Sequence, residues 1–597
     1  MKDQQGLELV EGPRVGVFVC HCGSNIAGHV DVEAVADYAR RLPDVVCVQR
    51  NLYTCSDAGL REIKEAIADE RLNRVVVAAC TPRTHEPLFQ DACRETELNP
   101  YLFEFVNIRD QCSWVHMAER EAATQKAKDL VRMGVAKARL LEPLEEQEVP
   151  VEPAALVIGG GMIGMTAALN LANRGFEVKL VERAPRLGGM MLQLDKLYPT
   201  RVDAMKVAQE RVAEVQENPR IEVHTSSVVS SVRGFVGNYE VTIAGSADEA
   251  TGTLDGAQGP GGAADQASCS PIKVGTIIVA TGARVLQPDG MYGYDGERVI
   301  TQSELESRLK KDDFDVGRVV MIQCVGSRIA ERPYCSRICC TTAIKNALEL
   351  KARRSDPEVY ILYRDAETQG TRYEAYYTQA REAGIQFIRY DVERPPEVHE
   401  ERVVVYDELL GAKLSIPCDL VVLSTPLIAR EGVRELAQML KVPVDEHGFF
   451  LEAHVKLRPL DFATDGIYVA GTARWPAHLE ETITQAYGAA ARAATVLSKD
   501  KVIASGVVAR VNEYLCRGCG RCVDTCEFGA LTLEAIGPGL EAARVNPVMC
   551  KGCGACASVC PTGAMQACHF TDEQVMVMVR AAMPETVSPF ASERGAS

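Results

Sequence analysis

Apolar runs and helical repeats alternate along the first 140 residues of the chain. Short apolar runs occupy 14–19, 45–50, 74–79 and 101–106, and stretches with a helical apolar repeat occupy 32–41, 58–69 and 118–139. This alternation predicts an α/β domain built on a mostly parallel sheet. An acidic segment with three prolines follows at 141–153. We therefore predict that the first domain comprises residues 1–145 and ends within this segment.

The remainder of the chain divides into a second α/β region, a cysteine-dense block and a tail. An apolar strand at Ala154–Ile158 opens the second region, for which we predict residues 150–500. Segment 245–271 inside it is rich in Gly, Ala, Ser and Asp, so we expect a flexible excursion that buries little apolar surface. The cysteine-dense block spans 505–570 and the tail spans 571–597. A chain of 597 residues is too long for a single core, so a multidomain α/β protein is predicted.

Composition narrows the classes of function. The net charge of −17 argues against nucleic acid as a partner, because phosphate binding needs a basic surface. No apolar run of about 18 residues or more occurs, so we expect no membrane span. The amino terminus lacks the pattern of a signal peptide, so we expect a cytoplasmic protein. In such a protein 22 cysteines indicate metal ligation or redox chemistry rather than disulfides.

The spacing C-x2-C-x2-C-x3-C occurs twice near the carboxyl terminus. It is the spacing of bacterial two-cluster ferredoxins, in which the fourth cysteine of each copy ligates the cluster of the other half. We therefore expect two [4Fe–4S] clusters. The first would take Cys516, Cys519, Cys522 and Cys560, and the second would take Cys550, Cys553, Cys556 and Cys526. Two zinc sites are the alternative, although zinc ligands usually come as C-x2-C pairs separated by a longer loop.

A glycine-rich turn directly follows the strand at Ala154–Ile158. Gly159, Gly161 and Gly164 form G-x-G-x-x-G, and the next apolar strand ends at Glu182. In dinucleotide-binding folds the glycines let the backbone approach a pyrophosphate at a helix N-terminus, and the acidic residue binds a ribose hydroxyl. The sequence therefore predicts a dinucleotide site; a turn without a nucleotide is the alternative.

Three later features favour FAD over NAD as the dinucleotide. Gly188 and Gly189 follow Glu182 at the distance typical of flavoproteins, and an apolar strand runs into A-T-G ending at Gly282. The stretch ending in Gly471 and Thr472 resembles the second FAD motif of two-dinucleotide-domain flavoproteins. That motif usually carries Asp where this chain has Thr472, so we expect a weaker or backbone-based contact with the ribityl chain.

A second nucleotide turn is missing where such flavoproteins bind NAD(P)H. The expected strand, 318–323, continues into a stretch without G-x-G-x-x-G that carries four cysteines: Cys324, Cys335, Cys339 and Cys340. Four thiols in that position predict a third [4Fe–4S] cluster beside the flavin. Buried structural cysteines are the alternative, because free cysteine is commonly buried.

Further cysteines stand at predicted strand ends in the first domain, namely Cys20, Cys22, Cys55 and Cys80. The carboxyl ends of parallel strands meet at one edge of a sheet, so these thiols are expected to converge there. A fourth cluster or a redox docking site is one interpretation. Partly buried thiols without a cofactor are the other, and the sequence leaves both open.

The combination of these stretches resembles the A-type subunit of heterodisulfide reductase over nearly the whole chain. The resemblance rests on the sequence at 17–25, 51–56, 77–87 and 111–116, on the Cys324 set and on the terminal ferredoxin motif. It implies a thioredoxin-reductase-like FAD domain, flavin-centred oxidoreductase chemistry without an assigned catalytic side chain, and electron transfer with flavin-based bifurcation in the methanogen complexes. It also implies an oligomeric complex with subunits of the B and C type and with an electron-donor subunit or ferredoxin.

Longer members of this family carry an extra ferredoxin module inside the FAD domain. Segment 245–271 holds only Cys269 at that place, which predicts that the module is absent. Two other functions stay open: a self-sufficient NAD(P)H:ferredoxin-type oxidoreductase and a non-catalytic relay scaffold. Apolar residues within 570–583 predict an amphipathic helix that either docks a partner or packs on its own ferredoxin domain.

Overall fold

The computed structural model describes residues 12–246, 271–311, 316–353 and 357–583. The chain forms two compact units, one of Met1–Val149 with Ile503–Ser597 and the other of Pro150–Val502. The predicted excursion, apart from its ends, and the last part of the tail lie outside the described residues. Within the described ranges no helix combines the length and the apolar character that crossing a membrane requires.

The amino-terminal part of the first unit is an α/β layer. Its sheet is parallel throughout, in the order β2-β1-β3-β4, and β1 and most of β3 are fully buried. The predicted α/β class with a parallel sheet is confirmed. The elements are β1 Val15–Cys20, α1 Val32–Ala39, β2 Val45–Asn51, α2 Asp57–Asp69, β3 Arg74–Ala79, α3 Pro82–Glu95, β4 Phe103–Asn107, α4 Arg120–Ala138 and β5 Gln147–Pro150.

Side-chain caps explain where several helices of this layer begin. The Asp31 carboxylate accepts a hydrogen bond from the Ala34 amide at the start of α1, and the Ser56 hydroxyl accepts one from the Gly59 amide at the start of α2. Such caps satisfy amides that have no partner within the helix. Pro82 occupies the first turn of α3, where its missing amide hydrogen costs nothing.

The second unit begins with a nucleotide-binding type of sheet and two smaller antiparallel pairings. Its first elements are β6 Ala154–Ile158, α5 Met162–Ala172, β7 Glu177–Val181, β8 Lys196–Leu197, β9 Val202–Asp203, α6 Ala204–Glu217, β10 Ile221–His224, β11 Ser227–Phe235, β12 Asn238–Gly245, β13 Ile272–Val274, β14 Thr276–Val279 and β15 Ala283–Val285.

A second group of elements follows, and its strand β25 returns the chain to the first sheet. These elements are β16 Val299–Thr301, α7 Gln302–Lys311, β17 Arg318–Ile322, α8 Cys339–Arg353, β18 Glu358–Tyr363, α9 Thr371–Glu382, β19 Gln386–Arg389, β20 Glu397–Val398, β21 Arg402–Asp407, β22 Ala412–Pro417, β23 Leu420–Leu423, β24 Leu427–Ala429, α10 Val433–Leu440, β25 Ile467–Val469, α11 Leu479–Leu497 and β26 Lys501–Ala504.

Two parallel five-stranded sheets organise this unit. The first has the order β10-β7-β6-β14-β25 and the second has the order β16-β23-β17-β18-β19. Strand β25 joins the first sheet beside β14 after the chain has built the second, so the first sheet is completed by residues far along the chain. Helices α5 and α11 bury alanine-rich faces in the same core on the first sheet. This two-sheet arrangement agrees with the predicted two-dinucleotide-domain fold.

The ferredoxin-like part of the first unit consists of short pairings around two helical turns. Strands β27 and β30 pair antiparallel, and β28 and β29 form a hairpin. The elements are β27 Ala509–Val511, α12 Arg521–Thr525, β28 Leu531–Gly537, β29 Leu540–Val545, α13 Ala555–Ser558, β30 Met565–Ala567 and α14 Asp572–Ala582.

Helix α14 of the tail packs on α4 of the amino-terminal layer. Thr571 and Gln574 form a capping box at its start, and the Gln574 amide also donates to the Leu140 carbonyl at 2.9 Å. The Arg132 guanidinium donates to the Ala581 carbonyl at 2.5 Å near its end. The predicted helix therefore exists, but it packs on the amino-terminal layer. The sequence had suggested either a partner or its own ferredoxin domain as the neighbour.

A buried ion pair lies where the residues just before α14 meet the amino-terminal layer. Lys137 and Glu104 are 2.8 Å apart, and the Lys137 side chain is 2% exposed. The Lys137 ammonium also lies 3.9 Å from the centroid of the Phe570 ring, and His569 approaches Glu104. Removing one partner of a buried ion pair is strongly destabilising, and this pair packs against His569 and Phe570, which directly precede the tail.

Replacing Lys137 by methionine is expected to destabilise this unit. Lys137→Met leaves the Glu104 carboxylate buried without its cation, which costs about 3 kcal/mol. Hydrogen exchange of α4 and α14 peptides in the full chain measures the loss. Arg61→Met, at an exposed position of α2, is the control, and Glu104→Gln with Lys137→Met should recover part of the loss. Equal protection in the Lys137 and Arg61 variants would contradict a structural role for the pair.

Candidate flavin and iron–sulfur sites

A cavity of about 760 Å³ opens at the carboxyl ends of the first parallel sheet of the second unit. Of the nine residues predicted to bind the dinucleotide, eight line it: Gly159, Gly161, Glu182, Gly188, Gly189, Gly282, Gly471 and Thr472. These residues come from distant parts of the chain, yet the sheet brings them to one edge. Gly164 is the exception, since it does not line the cavity.

The glycine turn lets α5 approach strand β6 closely. A Cβ on Gly164 would overlap the Gly159 carbonyl oxygen, so only glycine allows this packing. Gly159 itself has φ +112°, a conformation that other residues rarely adopt. Gly161 is the N-cap of α5, so the amides of the first turn of that helix point toward the cavity, as in sites that hold a pyrophosphate.

Glu182 holds the turn from the neighbouring strand. One oxygen of its carboxylate accepts a hydrogen bond from the Gly160 amide at 2.6 Å, and the other accepts one from the Ala184 amide at 2.8 Å. These bonds fix the carboxylate at the end of β7. Glu182 lines the cavity, at the strand end where dinucleotide folds carry the acidic residue that binds ribose hydroxyls.

Two buried polar atoms on the cavity wall lack a hydrogen-bond partner among the described residues, namely Arg430 Nε and the Thr281 hydroxyl. Burial lowers the pKa of Arg430, and the nearby Arg183 lowers it further. A buried donor without a partner is costly, so these groups fit a ligand that carries acceptors and negative charge. Together with the glycine turn, the wall fits a dinucleotide such as FAD.

Sequence reasoning missed a buried ion pair on the wall beyond the glycine turn. Lys345 on α8 and Glu306 on α7 are 2.5 Å apart with side chains 2% and 1% exposed, and both line the cavity. The Lys345 ammonium also donates to the Lys196 carbonyl at 3.0 Å, and Glu306 accepts from the Asp195 amide. Burial lowers the pKa of Lys345, whereas Glu306 raises it. A buried ion pair therefore forms part of the cavity wall.

Thr472 occupies the place of the usual aspartate at the end of β25. The preceding Gly471 has φ +77°, and its amide donates to the Gln485 side-chain oxygen at 2.9 Å rather than facing the cavity. The hydroxyl of Thr472 and the backbone around it remain as the polar groups on this part of the wall. The weaker or backbone-based contact with a ribityl chain stays a prediction.

The four cysteines after β17 are neighbours in the structure. Cys339 interacts electrostatically with Cys324, Cys335 and Cys340, and Cys340 does so with Cys324 and Cys335. Cys339 lines a small cavity together with Met190, Glu306, Ile338, Thr342 and Leu427, all of which also line the large cavity. The set predicted from sequence is thus assembled, and it lies directly beside the candidate flavin site.

Burial and neighbouring arginines shift the pKa values of the thiols in this set. Burial raises the pKa of the Cys340 thiol to about 12 and raises that of Cys339 as well. Burial also raises the pKa of Cys324, but Arg328 and Arg364 act in the opposite direction. Arg328 hydrogen-bonds Cys324 and pairs with Asp365 at 2.6 Å. Cations beside these sulfurs would stabilise thiolates bound to iron.

Two small cavities in the ferredoxin-like part are each lined by four thiols. Cys516, Cys519, Cys522 and Cys560 surround the first, and Cys526, Cys550, Cys553 and Cys556 surround the second. These are the two sets predicted from the spacing, including the exchange of the fourth cysteine between halves. Across the described ranges, no three Cys, His, Asp or Glu side chains are grouped as a site for a single metal ion.

Local backbone geometry builds these two cavities. Gly518 and Gly552 have φ +61° and +62°, and a Cβ on either would crowd a backbone carbonyl oxygen. The turn after each first cysteine therefore requires glycine. Backbone amides of Ala509 and Ala543 point at the Cys550 and Cys516 sulfurs at 3.3 and 3.5 Å. Such bonds are typical around iron–sulfur clusters, whose potentials they tune.

The amino-terminal cysteines also converge at one sheet edge. Cys20 ends β1, and it interacts electrostatically with Cys22, Cys55 and Cys80. Burial raises the pKa values of the last three thiols, and Arg109 lowers those of Cys22 and Cys80. The predicted convergence is therefore present. Convergence alone does not distinguish a cluster from partly buried thiols.

Two family models match the chain. The model described as pyridine nucleotide-disulphide oxidoreductase matches residues 153–493, and the model described as 4Fe-4S dicluster domain matches residues 515–564. They support an FAD-binding oxidoreductase domain and [4Fe–4S] clusters in the carboxyl-terminal part. Among solved structures, the thioredoxin reductase of T. acidophilum aligns at 17% identity with a TM-score of 0.38, over 58% of this chain and 98% of that one.

Curated relatives align along most of the chain. The A-type subunit of the H(2):CoB-CoM heterodisulfide,ferredoxin reductase of Methanothermobacter thermautotrophicus is 41% identical over 98% of this chain and 100% of that protein. The A-type iron-sulfur subunit of the CoB--CoM heterodisulfide reductase of Methanocaldococcus jannaschii is 39% identical over 87% of this chain and 91% of that protein. Identity of this extent, joined to the assembled cavity and cysteine sets, means that the chain belongs to the family of A-type heterodisulfide reductase subunits, the FAD- and iron–sulfur-containing electron-transfer subunits.

Proposed function

We propose that this chain exchanges electrons between FAD in the large cavity and one-electron carriers through the Cys324 set. When bound, FAD supplies the conversion between electron pairs and single electrons. The chain's residues supply the spacing: the small cavity lined by Cys339 shares its wall residues with the flavin cavity. This shared wall is the single observation that carries the proposal, because it leaves little protein between the two sites.

The cysteine sets suggest how many clusters the chain holds and which residues ligate each. Cys324, Cys335, Cys339 and Cys340 would hold one [4Fe–4S] cluster, and the ferredoxin-like sets would hold two. Cys20, Cys22, Cys55 and Cys80 are the candidate ligands of a further cluster. In this arrangement the chain has functional domains at 1–145, 150–500 and 505–570. The last of these would transfer electrons to or from a partner.

The partners proposed are other heterodisulfide-reductase-like subunits together with an electron-donor subunit or ferredoxin. Named relatives support this class: one, from Methanosarcina acetivorans, is described as the A-type subunit of a ferredoxin/F(420)H(2)-dependent CoB-CoM heterodisulfide reductase. Electron bifurcation is a more specific version of this proposal. It requires two separate exits from the flavin cavity, of which the Cys324 set would be one.

A self-sufficient NAD(P)H oxidoreductase is the competing function. Its support is the second parallel sheet, which resembles a nicotinamide domain in topology. Its weakness lies in the loop after β17, where cysteines stand in place of the phosphate turn. Anaerobic titration separates the two: we expect that NADH and NADPH leave the flavin of the isolated chain oxidised, and rapid bleaching by either would favour the alternative.

Removal of one ferredoxin ligand tests the exchange between halves. Cys560→Ser should lose roughly four iron atoms per chain and the signal of one cluster, while FAD remains bound, because the other set is intact. Iron analysis and electron paramagnetic resonance of the anaerobically purified chain provide the measurement. Cys568→Ser, a buried cysteine outside both sets, is the control. An unchanged iron content in Cys560→Ser would contradict the assignment.

Removal of Cys339 tests the proposed exit from the flavin. Cys339→Ser should again lose roughly four iron atoms, and electrons from photoreduced flavin should reach the ferredoxin clusters more slowly, by at least about tenfold. The matched control is Cys418→Ser, a buried cysteine of the same unit outside the set. Wild-type iron content together with wild-type transfer in Cys339→Ser would overturn the proposed route, and a wild-type chain without flavin would overturn the function as a whole.

A further inference from the structure

A second cavity lies on the far side of a short row of side chains from the flavin cavity. It has a volume of about 310 Å³ and is lined mainly by polar and charged residues: Arg337, Glu367, Tyr373, His478, Glu480 and Glu481. All of them belong to the same compact unit as the flavin cavity. Glu480 is exposed, so this polar pocket is accessible to water.

His478 stands at the inner wall of the polar pocket. It caps the start of α11, and its ring stacks on the ring of Tyr373 with centroids 4.7 Å apart. Burial and the neighbouring Arg337 lower its pKa, whereas Glu481 and Glu480 raise it. The imidazole is therefore held in one orientation among both signs of charge, which suits a group that accepts and releases a proton.

Tyr198 connects His478 to the flavin cavity. Its hydroxyl lies 3.3 Å from His478 Nδ1. Tyr198 lines the flavin cavity, whereas His478 lines only the polar pocket. Two side chains, each able to donate and accept a proton, thus form a row from the polar pocket to the flavin cavity.

The row ends on the wall of the flavin cavity itself. Tyr198 lines that cavity together with Lys345 and Glu306, the buried ion pair of α8 and α7. A proton that leaves the Tyr198 hydroxyl would therefore arrive inside the cavity that would hold FAD.

We propose that His478 and Tyr198 carry the proton that accompanies two-electron reduction of the flavin. The reaction is FAD + 2e⁻ + H⁺ → FADH⁻. The electrons come from the donor subunit or ferredoxin of the proposed function, on which this inference rests, and the proton comes from water in the polar pocket. His478 takes that proton at Nε2 and releases the one on Nδ1 to Tyr198, and the Tyr198 hydroxyl passes its own proton into the flavin cavity. Each residue keeps its number of protons, while the imidazole ends as the other tautomer and exchanges back with water before the next transfer.

The test measures proton uptake by the complete holoprotein. Bound flavin is photoreduced anaerobically in a weakly buffered solution with a pH-indicator dye, in H₂O and in D₂O, after the FAD content has been determined. The variants are Tyr198→Phe and His478→Gln. Tyr373→Phe is the matched control, because it keeps the ring stacked on His478 and removes a hydroxyl outside the row. Midpoint potentials of the flavin are recorded for all four proteins.

We expect both relay variants to take up the proton at least about tenfold more slowly than wild type, with unchanged flavin potentials. This is less than the roughly 100-fold typical of losing a direct acid or base, because water can partly replace a hydroxyl. Tyr373→Phe should match wild type. If Tyr198→Phe fails to retain FAD, His478→Gln decides, since His478 does not line the flavin cavity.

The possible failures are distinguishable. Wild-type rates in His478→Gln and in an FAD-replete Tyr198→Phe overturn the relay and leave the proposed function standing. Slowing of Tyr373→Phe to the same degree would also overturn it, because the effect would then be a general property of the pocket. Absence of FAD from the wild-type chain would overturn the proposed function and the relay with it.

Discussion

The direction of parallel strands is the constraint on which the flavin cavity, the Cys324 set and the amino-terminal cysteine set depend. In a parallel sheet every strand delivers its carboxyl end to the same edge, so loops far apart in sequence meet there. In the first sheet of residues 150–502, Gly159, Glu182, Gly282 and Gly471 each follow a different strand and reach one cavity. Cys324 follows a strand of the second sheet in the same way. The amino-terminal sheet repeats the principle with Cys20 and Cys80 at the ends of two neighbouring strands.

Features that depend on local spacing could be predicted from the sequence, and features that depend on distant packing could not. The two ferredoxin sets follow from ligands a few residues apart, so even the exchange of Cys526 and Cys560 between halves was predictable. The buried pair of Glu306 and Lys345 was not, because charged residues in helices usually face solvent and only the tertiary packing of α7 on α8 buries them. Gly164 was predicted among the dinucleotide-binding residues, but in the structure it does not line the cavity and instead lets α5 pack closely on the turn at Gly159.

The loop after β17 differs from the phosphate-binding turn of a nicotinamide domain. In a nicotinamide site the helix after such a strand begins at once, and its free amides hold a phosphate. Here the chain first makes a detour with positive φ at Cys324 and Gly326, and α8 begins only at Cys339. The positive end of the helix dipole therefore faces the cysteines themselves. Placed there, it would favour the negative charge of thiolate-bound iron, as Arg328 does from the other side.

Helix α8 contributes to both candidate sites of this unit. Cys339, Thr342 and Lys345 are spaced three residues apart, so they lie along one side of the helix. Thr342 and Lys345 line the flavin cavity, and Cys339 lines the small cavity beside it. Because these groups share one helix, their positions relative to each other are fixed. If Cys339 is a ligand of the proposed cluster, α8 therefore also fixes the position of that cluster relative to the flavin cavity.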